Sequence, residues 1–227
     1  MKLLTIENSD RIEICNTDYR NVLLKTELNT DLIIVDPPYN ININNLEWDN
    51  NFDYEELFVV LKSILSPNGT ILLFGPPQNL RTYLELIDTY NFELQDLLIW
   101  QKPNVIPSSI RTKGYTTKSR EYIFYITNKG AKPFFNLSPF EAYHDGIYKY
   151  PRVTAKERVH VCQKPKSLIE DLMLRHSKPN DLVVDLFLGS GVSAFTAKKL
   201  KRRFIGYEKD VETFKSIKKR LFNAYYT

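Results

Sequence analysis

Four consecutive residues, Asp36-Pro37-Pro38-Tyr39, combine groups that could activate a planar amine. An exocyclic amine on adenine or cytosine is a poor nucleophile, because its lone pair is delocalised into the ring. The Asp36 carboxylate and the Pro37 carbonyl could accept the two amine hydrogens and expose that lone pair. Tyr39 offers an aromatic face on which a base extruded from a duplex could stack. The residue types favour chemistry on a nucleobase amine, although a strand-terminating turn capped by aspartate has the same composition.

A second motif, Asp185-Leu186-Phe187-Leu188-Gly189-Ser190-Gly191, lies between a predicted strand and a predicted helix. Its glycines permit a sharp turn and let a ligand approach the backbone closely. Glu208 ends the following predicted strand, where its carboxylate could accept hydrogen bonds from ribose hydroxyls. The spacing also fits a dinucleotide site, but Asp185 would repel a pyrophosphate and attract the ammonium of S-adenosylmethionine. The motif favours S-adenosylmethionine, with a dinucleotide site and a helix-packing turn as the alternatives.

Charge is distributed unevenly along the chain. Residues 101–166 contain 13 Lys and Arg against 4 Asp and Glu, a net charge of +9, whereas the remainder contains 18 against 23, a net charge of −5. A basic segment on an acidic body suits a polyanion, because phosphate contacts dominate nucleic-acid affinity. A solvated lysine-rich loop would have the same charge, so this pattern supports nucleic-acid binding only together with the motifs.

The rest of the pattern predicts a cytoplasmic, nucleoid-associated α/β protein. Hydrophobic residues make up 43% of the 227 residues, and the 2 cysteines lack metal-type spacing, so we expect a sizeable core, reduced thiols and no metal. No segment reaches about 18 consecutive apolar residues, so we expect no membrane span. Alternating strands and helices predict a doubly wound, mostly parallel sheet with helices on both faces. We predict strands at 11–15, 31–35, 70–74, 121–127, 182–186 and 203–207 and one ending at 100, helices at 19–27, 53–65, 79–90, 166–176, 192–202 and 211–225, and a turn at 66–69.

Together these motifs resemble the beta class of amino-group DNA methyltransferases, in which the catalytic motif precedes the cofactor motif. The resemblance covers nearly the whole chain and implies a circularly permuted, Rossmann-like methyltransferase fold that uses S-adenosylmethionine. It divides the chain into a catalytic half at 1–100, a target-recognition insert at 101–160 and a cofactor-binding half at 161–227. It implies direct in-line methyl transfer to adenine N6 of a flipped base, with Asp36, Pro37, Pro38 and Tyr39 as catalytic residues. The implied cofactor-binding residues are Asp18, Lys164, Asp185, Phe187, Gly189, Ser190, Gly191 and Glu208.

Two of these cofactor residues come from shorter matches. Asn16-Thr17-Asp18 resembles the acidic motif that contacts the cofactor adenine in the family. His160-Val161-Cys162-Gln163-Lys164-Pro165 resembles the segment that closes over the methionine end of the cofactor, although the family usually has Pro-Thr in place of Val161-Cys162. The residue after Asp185 is usually proline and is Leu186 here, which we expect to alter only the packing.

We expect the insert to bind double-stranded DNA through two basic groups of residues. Phosphate contacts would position the duplex, and a few side chains would read bases. The first group comprises Arg111, Lys113, Tyr115, Lys118 and Arg120, and the second comprises Arg152, Lys156 and Arg158. Because an insert of about 60 residues is small for this purpose, assistance from a homodimer fits the sequence, and a cognate restriction endonuclease is a further candidate partner.

Several alternatives remain open from the sequence alone. Cytosine N4 would use the same chemistry, but an aspartate as the first motif residue favours adenine in this family, whereas serine favours cytosine. A DNA-binding partner subunit with weak activity often loses the catalytic aspartate or the cofactor glycines, and this chain keeps both. A dinucleotide oxidoreductase is disfavoured by Asp185, and related Pro-Pro-Tyr motifs also serve RNA and protein-glutamine methyltransferases.

Overall fold

The computed structural model of the chain describes residues 2–6, 12–24, 28–41, 51–104, 119–138, 141–160 and 162–226. Within these ranges the strands are β1 (Lys2–Ile6), β2 (Ile12–Asn16), β3 (Thr30–Val35), β4 (Leu65–Gly75), β5 (Phe92–Gln101), β6 (Arg120–Asn128), β7 (Ile147–Lys149), β8 (Leu182–Asp185) and β9 (Arg203–Glu208). The α-helices are α1 (Tyr54–Ile64), α2 (Leu80–Thr89), α3 (Lys166–His176), α4 (Val192–Lys199) and α5 (Val211–Tyr226). None of the described helices is long and apolar enough to cross a membrane.

The nine described strands form one sheet in the order β1-β2-β9-β8-β3-β4-β6-β5-β7. The five strands from β2 to β4 in this order are all parallel to one another. β6 is antiparallel to both of its neighbours, β4 and β5, and β1 is antiparallel to β2. The predicted fold class, a doubly wound and mostly parallel α/β sheet, is confirmed.

Two helical layers cover the sheet and bury its apolar residues. On one face, α1 and α2 pack through side chains such as Leu57, Phe58 and Tyr83. On the other face, α3, α4 and α5 pack through side chains such as Leu172 and Phe214. The strand interiors are apolar on both faces because each face meets a helical layer. Full burial of each such side chain stabilises the fold by roughly 1.5–3 kcal/mol.

The connections diverge at the boundary between β3 and β8. From β3 the chain passes through α1 to β4 on one side of this boundary, whereas from β8 it passes through α4 to β9 on the other side. The loops after β3 and β8 therefore leave toward opposite faces and open a crevice between them. Open α/β sheets bind their ligands at such a switch point, outside the carboxyl ends of the strands.

The segment 66–69 differs from the predicted turn, because it is a bulge within β4. Leu65 pairs with Thr30 and Thr70 pairs with Leu32, so the four intervening residues are accommodated without ending the strand. A Cβ at Gly69 would lie 2.6 Å from the carbonyl oxygen of Thr30, so a larger residue would push the two strands apart. A Pro-Asn-Gly tripeptide indicates a change of direction, but it does not reveal that the strand resumes afterwards.

Other differences concern where elements begin and end. The predicted helix at 19–27 is a 3-10 helix over Tyr19–Leu24, and its predicted last residues, 25–27, lie outside the described residues. The helix predicted to reach 202 ends at Lys199. Lys201 adopts a left-handed φ of 59°, which ends the turn after α4. The short strand β7 was not predicted, because it has only three residues and pairs at the edge of the sheet beside β5.

Candidate active site

The two motifs meet at the switch point of the sheet. Ile34 of β3 is in register with Asp185 of β8, so Asp36 follows two residues beyond that pair. Burial raises the pKa of Asp185, and the negative charge of Asp36 adds to this effect. Residues about 150 positions apart in the sequence therefore form one acidic crevice at the carboxyl ends of adjacent strands.

The Asp36 carboxylate accepts hydrogen bonds from two side chains. The Tyr39 hydroxyl donates to Oδ1 at 2.5 Å, and the Lys164 ammonium lies 2.8 Å from Oδ1 and 2.8 Å from Oδ2. The Asp36 side chain is only 22% exposed, and that of Lys164 is 8% exposed. Asp36 is thus an oriented carboxylate, and Tyr39 and Lys164 hold it from two directions.

Lys164 occupies a position that the sequence did not suggest. It was expected to contact the cofactor, but its ammonium binds Asp36 and lies 3.1 Å from Oε2 of Glu121. Burial lowers the pKa of Lys164, but the carboxylates of Asp36 and Glu121 outweigh burial and hold the pKa above its usual value. The lysine is therefore a cation at neutral pH. In the sequence, only the family resemblance of the segment 160–165 pointed to Lys164, and that resemblance did not reveal Asp36 as its partner.

The loop after β3 is supported from behind by groups that sequence reasoning missed. The Asn79 amide donates to the carbonyl of Tyr39 at 3.2 Å and to the hydroxyl of Tyr54 at 2.7 Å. The Tyr54 hydroxyl in turn donates to the carbonyl of Pro38 at 2.8 Å. Asn79 is 8% exposed, so losing these contacts would leave buried polar groups unpaired. No motif marks Asn79, since its role depends on a loop 40 residues earlier in the chain.

The glycine turn after β8 has the backbone geometry that its sequence predicts. Gly189 and Gly191 have φ values of 51° and 78°, in the left-handed region that L side chains rarely adopt. A Cβ at Gly191 would lie 2.8 Å from Cγ2 of Ile217, whereas a Cβ at Gly189 would lie 3.4 Å from Nδ1 of His160. The turn is thus enclosed by α5 on one side and by the segment around His160 on the other. Burial lowers the pKa of His160, so its ring is neutral at pH 7.

Asp185 is a buried carboxylate that accepts two hydrogen bonds. It is 6% exposed, it accepts a hydrogen bond from the backbone N–H of Phe187 at 2.9 Å, and it accepts a second from the Ser193 hydroxyl. No Lys or Arg of the described residues forms an ion pair with it. Burial raises the pKa of Asp185 to about 7, and the charges of Asp36 and Glu208 add to this effect. The site therefore attracts a positive charge.

Glu208 and Asp18 lie together at the end of the next strands. Glu208 accepts from the backbone N–H of Gly189 at 2.9 Å and from that of Asp210 at 2.8 Å, and burial raises its pKa. The backbone N–H of Thr17 donates to the carbonyl of Glu208 at 3.1 Å, which places Asp18 beside this strand end. Arg20 binds the Asp18 carboxylate at 2.7 Å. Burial alone would raise the pKa of Asp18, but the contact with Arg20 outweighs burial and lowers that pKa.

A group of aromatic rings lies beside the glycine turn. Phe187 packs against Tyr19 with ring centroids 5.0 Å apart and against Phe52 with centroids 5.5 Å apart. Phe187 keeps partial exposure, so its ring offers an apolar surface beside the glycine turn. The structure thus brings together five of the predicted cofactor residues from β8 and its turn (Asp185, Phe187, Gly189, Ser190 and Gly191) with Glu208 and Asp18.

The family model described as DNA methylase, of the N6 and N4 type, matches residues 30–219 of the chain. The chain belongs to this DNA methylase family. Among its relatives, the type II methyltransferase M2.DpnII of Streptococcus pneumoniae is 28% identical over 246 residues, which cover 94% of this chain and 91% of that protein. The type II methyltransferase M2.LlaDCHI of Lactococcus lactis subsp. cremoris is 28% identical over 222 residues, which cover 84% and 81%. The resemblance to amino-group DNA methyltransferases is confirmed.

Solved structures of DNA methylases have the same fold. The M1.HpyAVI–SAM complex is 29% identical with a TM-score of 0.77, and the match covers 92% of this chain and 98% of that chain. The PvuII DNA methyltransferase (cytosine-N4-specific) is 19% identical with a TM-score of 0.76, and the match covers 91% and 85%. At that identity the PvuII enzyme supports only the fold.

The methyl donor of this DNA methylase is S-adenosylmethionine, and the residues of the crevice fit it. The buried Asp185 has no cationic partner among the described residues, and the donor carries an ammonium that can serve as one. The left-handed glycines leave no side chain over the turn, so a ligand can approach its backbone. Glu208, at the end of the adjacent strand, has the acceptors that ribose hydroxyls require.

The predicted DNA-binding residues fall into two sets. Arg111, Lys113, Tyr115 and Lys118 lie outside the described residues. Arg120, Arg152, Lys156 and Arg158 are exposed. The backbone N–H of Arg152 donates to the Asn104 side chain at 2.9 Å, and the Asn104 amide returns a bond to the carbonyl of Arg152 at 3.0 Å. The second basic group is thereby tied to the chain that follows β5, on the side of the sheet where the strands end.

Proposed function

We propose that this DNA methylase transfers a methyl group to adenine N6 in double-stranded DNA and that Asp36 is its principal catalytic residue. One observation carries the proposal: Asp36 follows two residues after Ile34, which pairs with Asp185, so the Asp-Pro-Pro-Tyr motif and the glycine motif leave the carboxyl ends of adjacent strands, β3 and β8. An amine bound to Asp36 would therefore be adjacent to the methyl donor bound at the turn. A direct, in-line transfer needs this adjacency more than any other feature.

Asp36 and the carbonyl of Pro37 act as the two acceptors for the target amine. They draw the hydrogens of the amine toward themselves, so that its lone pair points away from both acceptors and toward the donor. The sulfonium of S-adenosylmethionine supplies an activated methyl group, so the chain needs no covalent intermediate. Asp36 then stabilises the positive charge that develops on the amine. The carbonyl of Pro38 is engaged by Tyr54, so that of Pro37 is the better candidate for the second acceptor.

The cofactor residues form three groups in this proposal. Asp185 pairs with the ammonium of the donor, and the backbone of the turn at 189–191, which includes Ser190, contacts its methionine portion. Glu208 binds the ribose hydroxyls, and Asp18 lies beside it for the adenine. Phe187 provides the apolar wall. The similarity to the SAM complex of M1.HpyAVI, at 29% identity over 98% of that chain, supports S-adenosylmethionine as the ligand of these residues.

We assign DNA recognition to the insert at 101–160, which lies within the segment 101–166 that carries the excess of positive charge. Arg120, Arg152, Lys156 and Arg158 are exposed, which suits phosphate contacts, and base contacts would come from the residues between 104 and 119. Tyr39 supplies the stacking face for the flipped base. A homodimer and a cognate restriction endonuclease belong to the proposal as partners of the intact enzyme.

One experiment tests both the activity and the choice of base. The protein is incubated with a DNA duplex and methyl-labelled S-adenosylmethionine, and the DNA is digested to nucleosides. We expect label in N6-methyladenine, and the Asp36→Ala variant should give none. Label only in N4-methylcytosine would overturn the choice of adenine, whereas tight DNA binding without label would indicate a partner subunit. An RNA duplex of the same sequence serves as the substrate control, and titration with NAD serves as the cofactor control.

A further inference from the structure

The Lys164 ammonium is enclosed by two carboxylates and three aromatic rings. Besides its 2.8 Å contacts with Asp36, the ammonium lies 3.1 Å from Oε2 of Glu121. This second contact is an ion pair whose geometry does not meet that of a hydrogen bond. The ring centroids of Phe74, Tyr39 and Trp100 lie 4.9, 5.8 and 5.9 Å from the ammonium. A flexible lysine side chain is thereby restricted to one position.

Glu121 has a fixed position because two strand pairings hold its backbone. It stands opposite Trp100 of β5, and the next residue, Tyr122, stands opposite Gly75 of β4. Its other carboxylate oxygen binds the ammonium of Lys102, and the Lys102 backbone N–H donates to the carbonyl of Ser119 at 2.8 Å. Glu121 is therefore a rigid anchor, whereas Asp36 lies on a loop.

The hydrogen bonds of Asp36 limit how a target amine can bind. An ionised carboxylate offers about four lone-pair sites. Among the described residues, the Tyr39 hydroxyl and the Lys164 ammonium both contact Oδ1, and Lys164 also contacts Oδ2. This leaves one site, on Oδ2, for an amine hydrogen. A shift of Lys164 toward Oδ2 would occupy that site as well.

We propose that Glu121 is a positioning residue that acts through Lys164: it draws the ammonium to one side, so that Asp36 stays oriented and keeps an acceptor site for the target amine. The inference rests on the proposed function. Glu121 touches neither base nor donor in this role. Its effect reaches the reaction only through Lys164, and that dependence separates it from a residue that merely stabilises the strands.

A double-mutant cycle tests this dependence. Glu121→Gln keeps the shape of the side chain and removes its charge, and Lys164→Met removes the ammonium. We expect Glu121→Gln to lower the single-turnover rate about 10- to 100-fold at saturating DNA and S-adenosylmethionine, as small displacements of a reacting group do. The affinity for S-adenosylmethionine and the KM for DNA should stay within about twofold. In the Lys164→Met protein, Glu121→Gln should change the rate by less than about twofold, because the ammonium through which Glu121 acts is already absent.

The outcomes that overturn the inference are equally specific. The inference is overturned if the Glu121→Gln variant reacts as fast as the unaltered protein. It is also overturned if the fold-loss in rate of the double variant equals the product of the two single fold-losses. Glu170→Gln is the matched control, since it removes an ion pair with Lys199 on the outer surface of α3 and should leave the rate unchanged. If Glu121→Gln does not fold, Glu121→Asp replaces it in the same cycle and is judged by the same two rates. Failure of the proposed function would differ, because the unaltered protein itself would then transfer no methyl group.

Discussion

The hydroxyl of Tyr39 donates a 2.5 Å hydrogen bond to Oδ1 of Asp36, so the first and last residues of the Asp-Pro-Pro-Tyr motif form one unit. Burial raises the pKa of Tyr39 well above its usual value, and the charge of Asp36 raises it further. The tyrosine is therefore a permanent donor. In this arrangement the carboxylate fixes the ring whose face is proposed to stack on the flipped base.

Tyr39→Phe tests the role of the Tyr39 hydroxyl separately from that of its ring. The variant keeps the stacking face and loses the hydrogen bond to a charged acceptor, a bond worth about 1.5–3 kcal/mol. We expect the single-turnover rate to fall about 10-fold with DNA affinity retained, whereas Tyr39→Ala should weaken both. Rates and gel-shift titrations of the two variants measure this. Equal DNA affinities for the two variants would argue against stacking.

Asp36→Ala should abolish transfer and retain the cofactor. Removing a preorganised charged acceptor typically costs about 100- to 1000-fold in rate, and this residue also fixes Tyr39 and Lys164. Calorimetric titration should show S-adenosylmethionine affinity within about threefold of the unaltered protein, since Asp185 and the turn remain. Asp88→Ala, at an exposed position on α2, is the control for the substitution itself. Turnover close to normal in Asp36→Ala would show that another group activates the amine.

Asp185 should make both stability and donor binding depend on pH. Its folded-state pKa of about 7 lies above the ordinary value of 3.8, so the folded protein holds a proton that the unfolded chain has released between these values. The free energy of unfolding should therefore fall as the pH rises from about 4 to about 7, relative to Asp185→Asn. Affinity for S-adenosylmethionine should rise over the upper part of the same range, because the ionised carboxylate binds the ammonium.

Urea unfolding and calorimetry at several pH values, on the unaltered protein and on Asp185→Asn, measure the two trends. A pH dependence shared equally by both proteins would assign it to other groups.

Gly191→Ala should destabilise the fold and weaken donor binding. Any L residue at φ 78° is strained by about 1–2 kcal/mol, and a Cβ 2.8 Å from Ile217 adds an overpacking cost of about 1–3 kcal/mol. Gly130→Ala is the matched control, because its φ is 73° and nothing lies within 4 Å of the added Cβ. Urea unfolding should show the larger loss at Gly191, and equal losses would mean that the contact with Ile217 relaxes freely.

Asn79→Ala should impair catalysis through the loop that it supports. The variant removes the amide that binds the carbonyl of Tyr39 and the hydroxyl of Tyr54, which costs about 1–3 kcal/mol when buried partners are left unpaired. We expect a lower melting temperature and a slower transfer rate with S-adenosylmethionine affinity retained. Asn136→Ala, an exposed asparagine, is the control. A normal rate in a destabilised Asn79→Ala protein would restrict its role to folding.

The sheet and the two motifs could be predicted because their signals are local. The run 32–35 is apolar throughout because its strand is covered on both faces, and the glycines 189 and 191 mark a turn that only glycine adopts easily. The helix at 166–176 was predicted with its observed bounds, because apolar residues recur at helical spacing and Pro165 precedes them.

The remaining part of the site depends on distant contacts that no local pattern encodes. Lys164 and Asp36 are 128 positions apart, and Asn79 meets its loop across the end of the sheet. The ion pair of Lys102 with Glu121 follows from the register of β5 against β6, and Lys164 reaches Glu121 from the segment before α3. A single sequence reveals the residue types but not which of these long side chains share a partner.

The adjacency of β3 and β8 also has a consequence for biosynthesis. Asp31 and Leu182 are hydrogen-bonded neighbours that are 151 positions apart, so a ribosome releases β3 long before its partner strand exists. Until then one edge of β3 lacks its partner and can associate with other strands. An interrupted translation product would carry Asp36 without the turn at 189–191. Such fragments would be unable to modify the genome, so the late arrival of β8 couples activity to complete synthesis.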